Sequence, residues 1–409
     1  MAYIDIMQKK VMEALACRYA NNSERERAEQ ELAVIEEMDI AESFLIAADF
    51  ASYARNTNTA FMPRNISAFY VAYLLGITPL DPLEYGLVFQ CFLRRERGNK
   101  DFYIDLDIES GGNRMRKRRA FRYMIKRYGN AKIDTVRNRV NGERPESACI
   151  SFLTLQALRH RVELQEFIAA ECGDIIDFNA TPYDDQKVYA LFGAGKAHGI
   201  FQFEHNTPRE IADLLKPKNL EDLTAVRALF MPGTIHKAEA LIAQKNSTIP
   251  QHKYTELIPY LRDTYGVLLY QEQILHILHG VGNFSYDEAE SVRMAMWEKR
   301  PADLNSYRNQ FVHNGGSADV FDYLTEEVRY VTRKSHWLMD SLLSYQMAYL
   351  KTYYPKEFFA YMKENADACF LDAEGDAGKG SNDQPTTQRT AEDVISSYCT
   401  MLQDEQLPF

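Results

Sequence analysis

The chain has 409 residues, with 47 Lys and Arg against 58 Asp and Glu, a formal net charge of -11, and 46% hydrophobic and 26% charged residues. That balance builds a folded core over two or three domains and excludes a disordered chain or a fibrous repeat. No apolar run reaches the roughly 20 residues that cross a bilayer, no signal-like pattern opens the chain, and the cysteines (17, 91, 149, 172, 369, 399) form no CxxC pair. The reading is a cytoplasmic protein with reduced thiols, no membrane anchor and no zinc ribbon.

Apolar residues at helical spacing predict helices over Ser23–Glu36 and Ser43–Ala54. Met62–Pro82 reads as a Pro-Arg-Asn loop, an apolar run Phe69–Ile77, and stop signals at Thr78-Pro79 and Asp81-Pro82. In Phe102–Ile108 the apolar Phe102, Ile104, Leu106 and Ile108 alternate with Tyr103, Asp105 and Asp107, and Glu109 continues the row. This is the clearest strand pattern in the chain. Between Arg114 and Arg144 twelve Lys and Arg stand against two acids, Asp134 and Glu143. From Ser151 onward the pattern is mainly helical, punctuated by Met231-Pro232-Gly233, Gly315-Gly316 and Tyr354-Pro355. Glu374–Thr390 reads as a flexible linker, followed by a short helix and a terminal Gln406-Leu407-Pro408-Phe409.

Asp105 and Asp107 lie two apart on a strand, so they project from one face, and Glu109 extends that row. Such carboxylates are the hard oxygen donors of a two-metal phosphoryl-transfer site, and equally the acidic face of a solvated strand. The basic stretch reads as a contact for a nucleic-acid backbone through Arg116, Lys117, Arg118, Arg119, Lys126 and Arg127, or as a solvated helix that balances the acidic remainder. His276 and His279 mimic an H-x-x-H metal pair, but no third ligand is near, and a groove or surface role fits them better.

Further segments follow in fixed order. They are Glu31-Leu32-Ala33-Val34-Ile35-Glu36-Glu37-Met38, Val71 to Thr78, Asp81-Pro82-Leu83, Arg94-Arg95-Glu96-Arg97, and the strand with Asp105 and Asp107. Then come Gly199-Ile200-Phe201-Gln202-Phe203-Glu204, Ala228-Leu229-Phe230-Met231-Pro232-Gly233, Thr264-Tyr265-Gly266-Val267-Leu268-Leu269-Tyr270-Gln271-Glu272-Gln273, and Lys334-Ser335-His336. Over about residues 25 to 370 this series resembles the bacterial DNA polymerase III alpha subunit, the C family of DNA polymerases.

The resemblance implies an α+β, helix-dominated fold. A small mixed-sheet, nucleotidyltransferase-like palm would span 1–151, a large helical fingers domain 152–370, and a linker and tail 371–409. It also implies template-directed addition of deoxynucleoside triphosphates to primed DNA. Two Mg²⁺ ions would sit on the catalytic Asp105 and Asp107, and Glu109, next in the same row of the strand, is the further candidate metal ligand. The nucleotide would contact Arg64, Ser67, Arg293, Lys299, Lys334 and His336. Separately, the terminal Gln406-Leu407-Pro408-Phe409 resembles the short Gln-Leu-x-Leu-Phe peptides that enter the sliding clamp's apolar pocket, with one apolar position missing, so Gln406, Leu407 and Phe409 read as clamp contacts or as an unstructured terminus. The departures fall on the chemistry. Ser151 stands for the third carboxylate, Cys149 for a lysine, Met62-Pro63-Arg64-Asn65-Ile66-Ser67 for a Gly-Arg-Gly-Ser loop, Met231 for an arginine, and Trp297-Glu298 for Gly-Lys. Only residues 108–150 separate Asp107 from Ser151, too few for a thumb, and the family's flanking domains have no counterpart. A serine hydroxyl is a poor Mg²⁺ ligand, with Glu109 and Glu146 the nearest substitutes. The expectation is a truncated relative with a degenerate site. Its alternative to synthesis is a non-catalytic protein that binds DNA, nucleotide or the clamp.

Overall fold

The computed structural model describes residues 2–92, 102–109, 114–134, 147–247, 251–365 and 390–404. The chain is α+β and helix-dominated, as expected, and divides into two compact units, Met1–Glu166 and Phe167–Phe409. The tail residues Gln406, Leu407 and Phe409, the basic Arg137, Arg139 and Arg144, the acid Glu146, and the linker up to 389 lie outside the described residues. Among the described residues no helix is long and apolar enough to cross a membrane.

The first unit opens with α1 (Tyr3–Cys17), α2 (Asn22–Glu37) and α3 (Ala41–Asn56). α2 starts where Asn21 accepts the Glu24 N–H at 3.0 Å and the Glu24 carboxylate accepts the Asn21 N–H at 2.6 Å, a reciprocal cap that satisfies two otherwise orphaned donors. Next come β1 (Phe61–Pro63), the short α4 (Tyr70–Leu74), β2 (Ile104–Glu109), α5 (Arg114–Tyr128), β3 (Ile133–Asp134), β4 (Ile150–Leu155) and α6 (Gln156–Cys172), which continues past Glu166 into the second unit. The strands form one mixed sheet in the order β1-β2-β4-β3, antiparallel at β1 and parallel elsewhere. Its apolar face carries Ile104, Leu106, Ile108, Ile150 and Phe152, all buried. α3 and α5 cover that face: the Phe152 ring lies 4.8 Å from Phe50 and 5.2 Å from Phe121, and Tyr53 stacks on Tyr123 at 4.2 Å.

The second unit is helical: α7 (Gln186–Gly193), α8 (Asn206–Leu215), α9 (Leu220–Leu229), α10 (Ala238–Lys245), α11 (Gln271–Gly280), α12 (Tyr286–Glu298), α13 (Pro301–His313), α14 (Ala318–Glu327), α15 (Lys334–Tyr353), α16 (Pro355–Asn365) and α17 (Ala391–Asp404). α15 is its axis, with Leu338, Leu342, Tyr345 and Met347 buried. α17, the short helix expected after the linker, packs its buried Val394 and Tyr398 inward, with the Tyr398 ring 5.2 Å from Phe230.

A buried glutamate organises each unit in the same way. The Glu31 carboxylate, fully buried on α2, accepts the Tyr70 and Val71 N–H groups at 2.9 and 2.8 Å, which are orphan donors at the start of α4, and is paired with Arg27 at 2.6 Å. Burial nonetheless pushes its carboxyl pKa up. In the second unit the Glu272 carboxylate accepts the Lys334 and Ser335 N–H groups at 2.9 and 3.1 Å, at the start of α15. Its neighbour Gln273 accepts from the Leu269 and Tyr270 N–H groups and donates to Thr264 Oγ1 at 2.7 Å. The Tyr-Gln-Glu-Gln run thus fastens a turn and caps the central helix.

Glu272→Ala leaves two buried N–H donors without acceptors. It should cost about 2–4 kcal/mol in urea unfolding followed by circular dichroism. Glu272→Gln, which keeps one acceptor oxygen, should cost less.

Candidate functional site

The sheet register builds the acidic face. β1 runs antiparallel to β2 with Met62 opposite Asp107 and Pro63 opposite Leu106, so the next residue, Arg64, reaches the level of Asp105. Its N–H donates to the Asp105 carbonyl at 3.0 Å. Asn65 continues the attachment: its Oδ1 accepts the Asp105 N–H at 2.9 Å and its Nδ2 donates to the Tyr103 carbonyl at 2.7 Å. Ser67 is buried and donates to the Arg64 carbonyl. The Met62–Ser67 loop is therefore fastened along the edge of β2.

On the other side of β2, Asp105 is in register with Ser151 of β4, and Ser151 with Asp134 of β3. Registered residues share a face, so Asp105, Ser151 and Asp134 form one cross-strand row, with Asp107 and Leu153 forming the next and Glu109 and Leu155 a third. Leu153 is 39% exposed, so this face opens outward at its middle, while Asp107, Glu109, Ser151 and Asp134 are buried.

Each buried acid has a partner inside the unit. Arg64 Nε donates to Asp107 Oδ2. Arg116, from the first turn of α5, donates to Glu109 Oε1 at 3.0 Å and also to Glu166 on α6. Burial raises the Glu109 carboxyl pKa, with Arg116 pulling the other way, and the two acids keep the Arg116 guanidinium above its ordinary value against its own desolvation. The Ser151 hydroxyl donates to Asp134 Oδ2 at 3.0 Å.

These residues do not fit two Mg²⁺ ions as arranged. Mg²⁺ requires several oxygen donors directed at one point, and among the described residues no three of His, Cys, Asp and Glu converge in that way. Asp107 and Glu109 hold guanidinium groups instead, and Ser151 uses its hydroxyl as a donor to Asp134. In the sequence Asp134 is an isolated acid within the basic stretch. Its place in the row comes from a two-residue strand too short for a periodic signal.

In the second unit Arg293 is buried and forks onto Glu290 at 2.7 and 2.6 Å. The Lys334 ammonium is buried between Glu221 at 2.9 Å and Asp263 at 3.0 Å. His336 is half-buried, edge-on to Trp337 at 4.6 Å, and Lys299 is the exposed left-handed cap of α12. Lys334 and His336 thus share the first turn of α15, and Lys299 caps the helix that carries Arg293. His276 bonds the Tyr286 hydroxyl at 2.8 Å while His279 stacks on the same ring at 4.4 Å, packing contacts where the sequence suggested a groove or surface role.

One cluster escaped the sequence reading. Arg227 is buried with its guanidinium over the Phe230 and Trp337 rings at 5.6 and 5.4 Å. It donates to the Gln202 carbonyl at 3.3 Å, and Gln202 Nε2 donates to the buried Asp340. Burial pushes the Arg227 pKa down to about 10 against the pull of Asp340 and Glu204. Gln202 and Glu204 in Gly-Ile-Phe-Gln-Phe-Glu were the available signal, one arginine short of the cluster.

Comparison with known proteins follows the same division. Residues 5–142 match the bacterial DNA polymerase III alpha NTPase domain, and residues 154–318 match the bacterial DNA polymerase III alpha subunit finger domain. Among curated proteins, the DNA polymerase III subunit alpha of Staphylococcus aureus strain N315 is 27% identical over 460 aligned positions, and that of strain COL is 27% identical over 458. The Staphylococcus epidermidis protein is also 27% identical, and each match covers 83% of this chain and 42% of the relative. The chain therefore spans under half the length of these relatives. Since 83% of 409 residues is about 340, about 120 of the 460 aligned positions have no counterpart here. Matched in order along both units, the chain is a divergent relative of the bacterial DNA polymerase III alpha subunit.

Proposed function

We propose that this chain is a DNA polymerase III alpha-like protein that binds its ligands without polymerising. Residues 1–151 act as a palm-like domain, 152–370 as a fingers-like domain, and 371–409 as a linker and tail. The ligands are primed DNA, deoxynucleoside triphosphates or a replication partner in the cytoplasm. Gln406, Leu407 and Phe409 are the positions assigned to a sliding clamp.

The observation that carries this reading is the Arg64 guanidinium on the buried Asp107 carboxylate. A divalent ion on Asp107 would have to displace that group or sit a few ångströms from it, and like charges repel strongly where water is excluded. Arg116 on Glu109 and the Ser151 hydroxyl on Asp134 engage the neighbouring donors in the same way. These contacts hold the Met62–Ser67 loop, β2 and the first turn of α5 together, which is a structural use of the positions that the resemblance assigns to catalysis. Of the nucleotide-binding positions in the second unit, Lys299 and His336 retain exposed surface, while Arg293 and Lys334 are engaged by Glu290, Glu221 and Asp263. The rival reading, template-directed DNA synthesis, draws its support from Asp105, half-exposed on the same face as Asp107.

Primer extension on a primed template, with Mg²⁺ or Mn²⁺, tests the two. The expected result is no extension above that of an Asp105→Ala/Asp107→Ala double variant, and extension that disappears in the variant would establish synthesis. Arg64→Ala removes one cation from beside Asp107 and should tighten Mn²⁺ binding, read by electron paramagnetic resonance, by about tenfold or more, because that guanidinium charge no longer opposes the ion. Thermal unfolding should respond to Mn²⁺ in that variant and stay unmoved in the parent chain.

A further inference from the structure

α5 reads RMRKRRAFRYMIKRY, eight cations and no acid, in a chain of net charge -11. The structure divides seven of those cations, all but Arg114, into two sets. Arg116 is bound by Glu109 and Glu166, Lys117 lies 5.5 Å over the Phe121 ring, and Arg127 pairs with Asp49 at 3.2 Å. Arg118, Arg119, Arg122 and Lys126 are exposed, and no ion pair or side-chain hydrogen bond engages them among the described residues. At 3.6 residues per turn these four fall within about 100° of arc, opposite the buried Ala120 and Met124. From Arg118 to Lys126 the row runs about 12 Å along the helix axis.

This arrangement works against the helix that carries it. Cations near a helix N-terminus oppose the macrodipole, and like charges four residues apart, as at Arg118, Arg122 and Lys126, repel. No acid stands in the first turn of α5 to offset them. Balancing the net charge of the chain would not require the cations on one face, whereas a polyanion laid along the helix would. A nucleic-acid strand supplies one phosphate per roughly 3.4 Å of duplex axis, so a 12 Å row spans three to four phosphates.

Resting on the nucleic-acid half of the reading above and not on its catalytic half, we propose that the outer face of α5 is a sequence-independent binding surface for a nucleic-acid backbone. Arg118, Arg119, Arg122 and Lys126 are its contacts. Arg116 and Arg127, grouped with them on sequence grounds, tie α5 to Glu109, Glu166 and Asp49 instead, and Lys117 lies over Phe121 of its own helix.

The test is fluorescence anisotropy of a labelled primed duplex with the full chain, in EDTA so that no metal site contributes, between 50 and 200 mM NaCl. Three to four phosphate contacts predict a log–log salt slope of about -3, and hence about a 60-fold loss of affinity across that range. The Arg118→Ala/Arg119→Ala/Arg122→Ala/Lys126→Ala variant, with its fold checked by circular dichroism, should lose most of the slope and at least about tenfold in affinity at 50 mM. Arg118→Lys/Arg119→Lys/Arg122→Lys should keep both, and so should Lys9→Ala/Lys10→Ala, which removes exposed cations from α1. An unchanged slope in the quadruple alanine variant overturns the α5 assignment and leaves DNA binding standing, as does an equal loss in the α1 control. No binding by the parent chain at 50 mM overturns both the assignment and the nucleic-acid reading.

Discussion

The pairing of β2 with its neighbours constrains everything else in the first unit. Because side chains alternate along a strand, one choice of register sends Ile104, Leu106 and Ile108 into the core under α3 and α5 and sends Asp105, Asp107 and Glu109 to the opposite face. The same register carries Arg64 to the level of Asp105 and Asp107, and Ser151 and Asp134 to the level of Asp105. Acids brought together on a partly buried face need compensation, and the chain supplies it from within, with a guanidinium on Asp107, another shared by Glu109 and Glu166, and a hydroxyl on Asp134. Compensation of this kind is directional and fixed. It ties the loop after β1 and the start of α5 to the central strand, so the polar face becomes part of what holds the unit together.

Glu31 and Glu272 show the same economy at helix ends. Each is a buried carboxylate whose oxygens accept N–H groups at the first turn of a helix distant in sequence, α4 in one case and α15 in the other. That geometry explains why Glu31 and Glu272 stand inside the most recognisable runs of the sequence: the runs specify how helices dock. Resemblance in such runs therefore speaks to the fold of this chain more directly than to its chemistry.

Much of the fold was legible because it rests on periodicity. The alternation in Phe102–Ile108 predicted β2 and its acidic face, and the spacing in Ser23–Glu36 and Ser43–Ala54 predicted α2 and α3 within two residues at each end. The absence of a charged side chain at Ser151 was legible as well. Charge pairing was not, because it depends on contacts between residues far apart in sequence. Arg64 and Asp107 are 43 positions apart, and Arg116 and Glu166 are 50 apart. The twelve bases of Arg114–Arg144 looked like one group, yet only tertiary packing turns Arg116 inward and Arg118 outward. β3, with two residues, carries no period at all, and so the place of Asp134 beside Ser151 could only be seen in three dimensions.

The two fates of arginine in the first unit bear on one another. A face designed to hold divalent ions must keep its carboxylates open to an incoming charge, and it must keep the unit folded while they are open. Here Arg64 and Arg116 stand against Asp107 and Glu109 in the folded chain itself. The sheet carries α5, whose inner side is anchored through Arg116 and the Phe121–Phe152 contact and whose outer side is left cationic. Arg116 engages Glu109 from the same helix whose buried Ala120 and Met124 turn Arg118, Arg119, Arg122 and Lys126 to the outside. Engaging Glu109 and presenting the basic face are, in this fold, properties of the same helix.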